Sequence, residues 1–426
     1  MELTVLLLLL AVLLAIGVPV AFALGAASVA TFLLLDIPVV VAFQRMAASM
    51  NVFTLMAIPF FVFAGDLMAR TGIAERLVRV AEGAFGRARG GLGQVDVGAS
   101  MMFGAVSGSA VASVSAMGST LMPMMKEKGY DADYAVNVTI TAAILGILIP
   151  PSHNMIIYAA ASPVSVSVGD LFLAGIVPGL LAGAALMFVA WRVAIRRGYP
   201  GGTFPGWRSF TKSLIAAFPG LMTALIIVFG ILLGVFTPTE SSAVAVIYTI
   251  VIGVLVYRSL GYIAFVEAAS SAVRTTAMVM LIIGTAGMFG WLFALLHGPE
   301  MLSGGLTAVS QDPAVIMLMI LLVLLVLGAF MDMAPLIIIT TPIFLPVAVA
   351  TGVDPVHFGI IMMLSLGIGL VTPPVGSVLF VGCAVGQAKP EQVVRTIWPF
   401  YLALMIVLLL VAYLPSLSLW LPEQFN

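Results

Sequence analysis

The chain has 426 residues, 62% of them hydrophobic and 8% charged. Soluble domains carry about a quarter charged residues, so the solvent for most of this surface is lipid. A net charge of −1 offers no electrostatic footprint for a nucleic-acid partner, and a single cysteine, Cys383, excludes a disulfide within the chain. Three histidines, His153, His297 and His357, are scattered without metal-ligand spacing.

Runs of roughly 20 apolar residues cross a bilayer as helices, and shorter runs suffice where a helix is broken. In chain order the first is Leu3–Ile16. It lacks the basic lead of a signal peptide and reads as a membrane helix. Val18–Leu35, Val52–Ala69, Leu92–Met125, Tyr134–Ala161 and Leu171–Trp191 follow. The remaining segments are Leu214–Phe236, Ser241–Tyr257, Thr275–Leu296, Ala314–Ala350, Phe358–Val385 and Ile397–Leu417. An all-α polytopic membrane protein is expected. Between the third and fourth segments, Glu75–Arg89 alternates Leu77, Val78, Val80 and Phe85 with four arginines. It is expected to lie along the inner leaflet as an arm.

Leu92–Met125 and Ala314–Ala350 are too long for one span. Each has a polar, Gly- or Pro-marked middle, Ser107-Gly108-Ser109 in one and Met331-Asp332-Met333-Ala334-Pro335 in the other. Both read as re-entrant hairpins, tolerated at membrane depth inside protein or beside a water-filled cavity. With the N-terminus outside and both hairpins re-entrant, 16 of the 17 Lys and Arg residues fall on the inner side, and Arg45 alone lies outside. The positive-inside rule thereby supports a topology drawn without those charges. Both termini then lie on the outer side of the membrane.

The two halves match at one constant offset: Ser109 with Asp332, Pro123 with Pro346, Gly129 with Gly352, Asp131 with Asp354, Gly146 with Gly369, and Pro150-Pro151 with Pro373-Pro374. Pro19 and Pro238 pair at a slightly smaller offset. Residues 1–212 and 213–426 are therefore expected to be two repeats, each with five crossings and one hairpin. An odd number of crossings inverts the second. Inverted repeats with broken helices mark secondary transporters, which hold substrate near the midplane.

The helix breaks are Ile149-Pro150-Pro151-Ser152 and Val371-Thr372-Pro373-Pro374. Paired prolines free backbone carbonyls. With nearby hydroxyls these are hard oxygen ligands suited to Na⁺, while the following half-helix points its positive end at the same place. Ser107 and Ser109 supply oxygens at the first tip, or the small residues there pack the hairpin arms closely. Asp332 is expected to be the deepest acidic residue, as an ion ligand, as the N-cap of a half-helix beginning near Pro335, or as both. Glu240, in Thr237-Pro238-Thr239-Glu240, reads as a cap rather than an ion ligand, and His153 as a cavity-lining or structural histidine. No Lys or Arg stands at midplane depth, so a carboxylate substrate would be neutralised by helix N-termini, hydroxyls and co-bound cations. Few buried acids favour Na⁺ over a proton relay.

The Ser-Gly-Ser-Ala tip, Ile149-Pro150-Pro151-Ser152, Phe236-Thr237-Pro238-Thr239-Glu240, Gly328-Ala329-Phe330-Met331-Asp332 and Thr372-Pro373-Pro374-Val375-Gly376 closely resemble the large membrane subunit of tripartite ATP-independent periplasmic (TRAP) transporters, over essentially the whole chain. The resemblance implies an elevator-type permease coupled to Na⁺, with no other cofactor. It also implies a small four-helix membrane subunit, expected here as a separate chain, and a periplasmic protein that delivers organic acids such as C4-dicarboxylates, keto acids or sialic acid. On matching positions it implies one Na⁺ site at Ser107, Gly108, Ser109, Pro150 and Ser152, and a second at Asp332, Thr372, Pro373 and Gly376. Ser113, His153, Asn154 and Pro335 are expected around the substrate cavity.

A stand-alone Na⁺/dicarboxylate symporter of the same architecture is the competing expectation. A channel fits the inverted hairpins less well. The chain lacks His-Glu-x-x-His, Gly-x-Ser-x-Gly, an acid-rich pyrophosphate motif and a phosphate-binding Gly-x-x-x-x-Gly-Lys-Ser/Thr, which counts against an intramembrane enzyme and against ATP drive within the chain.

Overall fold

Without water in a bilayer core, each segment must satisfy its own backbone, and helices do so. The computed structural model describes residues 2–202 and 204–425. Among them the regular structure is helical, apart from one isolated bridge between Arg89 and Gly201. The first half runs α1 (Glu2–Ala15), α2 (Val20–Leu34), α3 (Val39–Met50), a 3-10 turn (Phe53–Met56), α4 (Ala57–Arg70), α5 (Ile73–Phe85), α6 (Gly91–Ser107), α7 (Ala110–Glu127), α8 (Ala132–Ala143), α9 (Leu145–Leu148), α10 (His153–Ala161) and α11 (Val168–Arg196). The second runs α12 (Trp207–Leu232), α13 (Pro238–Val251), a π-helical turn (Ile252–Val256), α14 (Tyr262–Leu295), α15 (Gly298–Val309), α16 (Pro313–Phe330), α17 (Met333–Ala350), α18 (Pro355–Gly369), α19 (Ser377–Gly386), α20 (Pro390–Thr396), α21 (Trp398–Tyr413) and α22 (Ser416–Phe425). Proline starts α13, α16, α18 and α20, where its missing amide costs no helical bond.

Seven of the described helices are long and apolar enough to cross a bilayer, and two bent pairs, Ala132–Leu148 with His153–Ala161 and Pro390–Thr396 with Trp398–Tyr413, would raise that to nine. Element boundaries repeat at the same offset as the sequence. Ser107 and Ala110 flank the first tip, Phe330 and Met333 the second, and α8 and α18 start at the equivalent positions Ala132 and Pro355.

Three features depart from the expected segments. α3 lies outside all of them, because Gln44 and Arg45 interrupt its apolar run. α14 begins at Tyr262, well before Thr275, since Glu267 and Arg274 hide its first turns from an apolar count. α15 also escapes such a count, its sequence carrying Glu300, Gly304 and Gly305. The amphipathic arm is present as α5, but its apolar face packs on protein. Ile73, Leu77, Val78 and Ala81 are buried, with α6 and α12 against the helix. Glu75 and Arg79 face outward and pair at 3.7 Å.

The helices pack in two groups. α1–α4 with α12–α14 form one, and α6–α11 with α16–α22 form the other. α5 and α15 bridge them, α5 touching α6 and α12, and α15 touching α14 and α17. Within the second group each hairpin arm meets a broken helix backbone to backbone. A Cβ at Gly104 would sit 2.2 Å from the Gly146 Cα, and one at Gly369 would sit 2.5 Å from the Gly328 Cα. Any side chain at these crossings would force the helices apart.

Candidate functional site

The first tip is built by a reversal that glycine permits. Ser107 ends α6, Gly108 takes φ +62°, and extended Ser109 caps α7 by accepting from the Ala112 amide at 3.3 Å. A Cβ at Gly108 would lie 3.2 Å from both the Pro151 carbonyl oxygen and His153 Nδ1, so the tip presses directly on the first helix break. Ser107 and Ser113 hydroxyls face each other at 3.4 Å. Ser152, at the start of α10, is fully buried, and its hydroxyl has no hydrogen-bond partner among the described residues.

The second tip differs. Asp332 holds the N-cap position of α17, yet its side chain makes no cap bond. The carboxylate lies against the Met333 amide and beside the Ser377 hydroxyl, which falls outside hydrogen-bond geometry. Protein surrounds Asp332, while its surface remains open to a cavity.

The second break is held by the backbone around it. The Gly376 and Val375 amides donate to the Ala329 carbonyl at 3.0 and 3.1 Å, tying the break to the end of α16. Thr372 donates its hydroxyl to the Ile368 carbonyl at 2.8 Å. A Cβ at Gly376 would come within 2.8 Å of the Thr372 carbonyl, and the residue takes φ +34°, so glycine is required there. The Val371 carbonyl accepts the buried hydroxyl of Tyr401. The Pro150-Pro151 and Pro373-Pro374 bonds are both cis.

A cavity of about 320 Å³ joins these parts. Ser107 and Ser109 of the first tip, His153 and Asn154 after the first break, and Asp332 and Pro335 of the second tip line one side. Asp66 and Val62 of α4 and Thr275 and Met278 of α14 line the other, so the cavity lies on the seam between the two helix groups. Ser113, expected at the cavity, does not line it, and neither do Gly108, Pro150, Ser152, Thr372, Pro373 or Gly376. Among the described residues the wall contains no Lys or Arg.

Asp332 is not the only acid set within these helices. Asp66 shares its cavity, and Asp96 is fully buried elsewhere, accepting the Ser100 hydroxyl at 3.3 Å and the Thr139 hydroxyl. Asp66 stood inside a predicted span, where any ionisable group is a functional candidate, so the signal was present in the sequence. Glu240 forms a capping box with Thr237, at 2.8 and 3.3 Å, and does not line the cavity.

A family model described as "Tripartite ATP-independent periplasmic transporter, DctM component" matches residues 7–417. Protein YgiK of Salmonella typhimurium is 42% identical over 418 residues, covering 97% of this chain and 96% of that one. The sialic acid TRAP transporter large permease protein SiaM of Vibrio cholerae is 40% identical over 366 residues, 86% of this chain and 85% of its own. The C4-dicarboxylate TRAP transporter large permease protein DctM of the same species is 37% identical over 430 residues, 96% and 94% of the two chains. In three dimensions the Alcanivorax borkumensis YdaH transporter matches with a TM-score of 0.63 over 90% of this chain and 88% of that one, at 12% identity, a likeness of fold alone. With a family model spanning nearly its whole length, and large permease relatives that align with most of it, the chain belongs to the DctM component, the large permease subunit, of the tripartite ATP-independent periplasmic transporters.

Proposed function

We propose that this subunit imports an organic acid by Na⁺-coupled elevator transport, receiving it from a periplasmic binding protein and working beside a separate small membrane subunit. One observation carries the reading: the two hairpin tips and the first helix break meet at one cavity, with no Lys or Arg among its described lining residues, on the seam between two helix groups. A carboxylate in such a cavity has hydroxyls, an amide and helix N-termini to meet it, and needs cations to offset Asp332 and Asp66. Hydroxyl and carbonyl oxygens at the tips and breaks are hard ligands of the kind Na⁺ takes. The first ion set is Ser107, Gly108, Ser109, Pro150 and Ser152, and the second is Asp332, Thr372, Pro373 and Gly376. Ser113, His153, Asn154 and Pro335 complete the substrate surroundings.

In this reading α6–α11 with α16–α22 move as a body, α1–α4 with α12–α14 stay fixed, and α5 and α15 are the arms between them. Residues 1–212 and 213–426 are inverted repeats, with both termini periplasmic. Relatives named for sialic acid and for C4-dicarboxylates support a carboxylate as the substrate class. The test is reconstitution in liposomes of this chain with its small subunit and binding protein. An imposed inward Na⁺ gradient should drive uptake of N-acetylneuraminate or succinate, and uptake should stop when the binding protein is omitted. Uptake of free acid by this chain alone would instead favour a stand-alone symporter.

A further inference from the structure

The first amides of a helix have no partner inside it, and buried amides are nearly always paired elsewhere. The two half-helices that follow the breaks meet this need differently. At the start of α19 the Val378 and Leu379 amides donate to the Leu370 carbonyl at 3.1 and 3.4 Å. At the start of α10 Ser152 supplies no side-chain cap, and the amides of His153, Asn154 and Met155 find no acceptor among the described residues. The Asn154 side chain adds a further donor. Asn154 is 4% exposed and lines the cavity, and its carboxamide makes no hydrogen bond among the described residues. Both of its polar atoms keep surface open to the cavity. Ser377, at the equivalent position in the second half, does not line the cavity and has a buried hydroxyl. The α10 start abuts the first tip, since a Cβ on Gly108 would lie 3.3 Å from the His153 amide nitrogen.

We propose that the start of α10 is the seat of a single substrate carboxylate and that Asn154 is the side chain that binds it, while the start of α19 takes no anion. The inference rests on the carboxylate-transport reading above and deepens it. Oriented amides at a helix start, with the positive end of the helix behind them, hold a carboxylate without a Lys or Arg, and neither lines this cavity among the described residues. The carboxamide nitrogen beside them fixes the second carboxylate oxygen, and its own oxygen remains for a donor elsewhere on the substrate. Asp332 lines the same cavity, so the rest of the ligand gains nothing from a second negative charge. The two repeats thus present one anion seat, because the second half uses its amides within the fold.

The test reads ligand-induced shifts in melting temperature of the full chain in lipid nanodiscs at saturating Na⁺. Succinate, succinamate and succinamide carry two, one and no carboxylates on one carbon skeleton, and N-acetylneuraminate and its methyl ester form a second pair of acid and neutral form. Succinamate should bind at least as tightly as succinate, and neither succinamide nor the ester should bind. Asn154→Asp, which places a negative charge in the seat, and Asn154→Leu, which keeps the bulk without polar atoms, should each weaken whichever acid binds by about tenfold or more. Without acid, Asn154→Leu should not lower the melting temperature, since no partner of the carboxamide is lost within the fold. Unchanged acid affinity in either folded variant would overturn the assignment. So would succinamate binding about tenfold more weakly than succinate, which would mean a second seat. If neither succinate nor N-acetylneuraminate binds the wild-type chain, the carboxylate reading falls and this inference with it.

Discussion

Ser109 and Asp332 occupy equivalent places in the two halves and use them differently: Ser109 caps its helix through the Ala112 amide at 3.3 Å, while Asp332 leaves its helix uncapped and faces the cavity. If both tips belong to the proposed ion sites, one joins stability to function and the other separates them. Ser109→Ala should lower thermal stability by about 1 kcal/mol, the usual worth of a serine cap, and also raise the Na⁺ concentration for half-maximal uptake. Asp332→Asn should leave the melting temperature nearly unchanged while raising that Na⁺ concentration by about tenfold or more, because a full charge leaves the ligand set. Uptake titrated against Na⁺ and a melting curve, recorded on both variants, separate the two effects. An unaltered Na⁺ dependence in both would remove these residues from the ion sites.

The contrast also marks where the sequence was legible. Pro-Pro pairs, glycines and their constant spacing between the halves announced both hairpins and both breaks, because backbone exceptions need particular residues. The same punctuation placed Ser107, Ser109, His153, Asn154 and Asp332 around one cavity. Asp66 was visible as an ionisable group inside a predicted span, but its place at the cavity depends on α4 packing against α14, a long-range contact that no local pattern encodes. α3 and the first turns of α14 were hidden for the opposite reason. Arg45, Glu267 and Arg274 lower the apolar count, although the Arg45 guanidinium lies over the Trp291 ring at 4.7 Å and Glu267 pairs with Arg70. Nor did the sequence show that the carbonyls freed at the second break are largely occupied within the fold.

The backbone crossing of α6 with α9 should tolerate no side chain. In Gly104→Ala the new Cβ would meet the Gly146 Cα at 2.2 Å, and neither backbone can yield without moving a helix. The expected loss is at the upper end of overpacking penalties, about 3 kcal/mol, with uptake lost as tip and break separate. Gly290→Ala is the control. Its Cβ meets nothing within 4 Å, and alanine should gain up to about 1 kcal/mol in a helix interior. Melting curves of the two variants in the same detergent should move in opposite directions.

The Thr237–Glu240 capping box gives a prediction about what does not couple to ions. Thr237→Ala removes the oxygen that accepts from the Glu240 amide at 3.3 Å and should lower stability by about 1 kcal/mol. Glu240→Ala should also lower the melting temperature, through loss of the 2.8 Å bond from the Thr237 amide. Neither change should alter the Na⁺ half-saturation of uptake, since neither residue reaches the cavity. A shifted Na⁺ dependence in either variant would show that the start of α13 belongs to an ion site.

Tyr401 tests whether the second break gives up its carbonyls to an ion or keeps them within the fold. Tyr401 is 8% exposed, and its hydroxyl donates to the Val371 carbonyl just beyond the end of α18. Tyr401→Phe keeps the ring packing and removes the donor, leaving a buried acceptor unpaired at a cost of about 1–3 kcal/mol. Val371 is outside the proposed ligand set of Asp332, Thr372, Pro373 and Gly376. The expected result is therefore a lower melting temperature with Na⁺ half-saturation unchanged. A gain in Na⁺ affinity would mean that the tyrosine hydroxyl and the ion compete for the same oxygen, and Val371 would then join the ligands. Measuring both quantities on the phenylalanine variant decides between a structural lock and an ion gate, because a lock alters stability at every Na⁺ concentration and a gate makes its cost vanish as Na⁺ saturates.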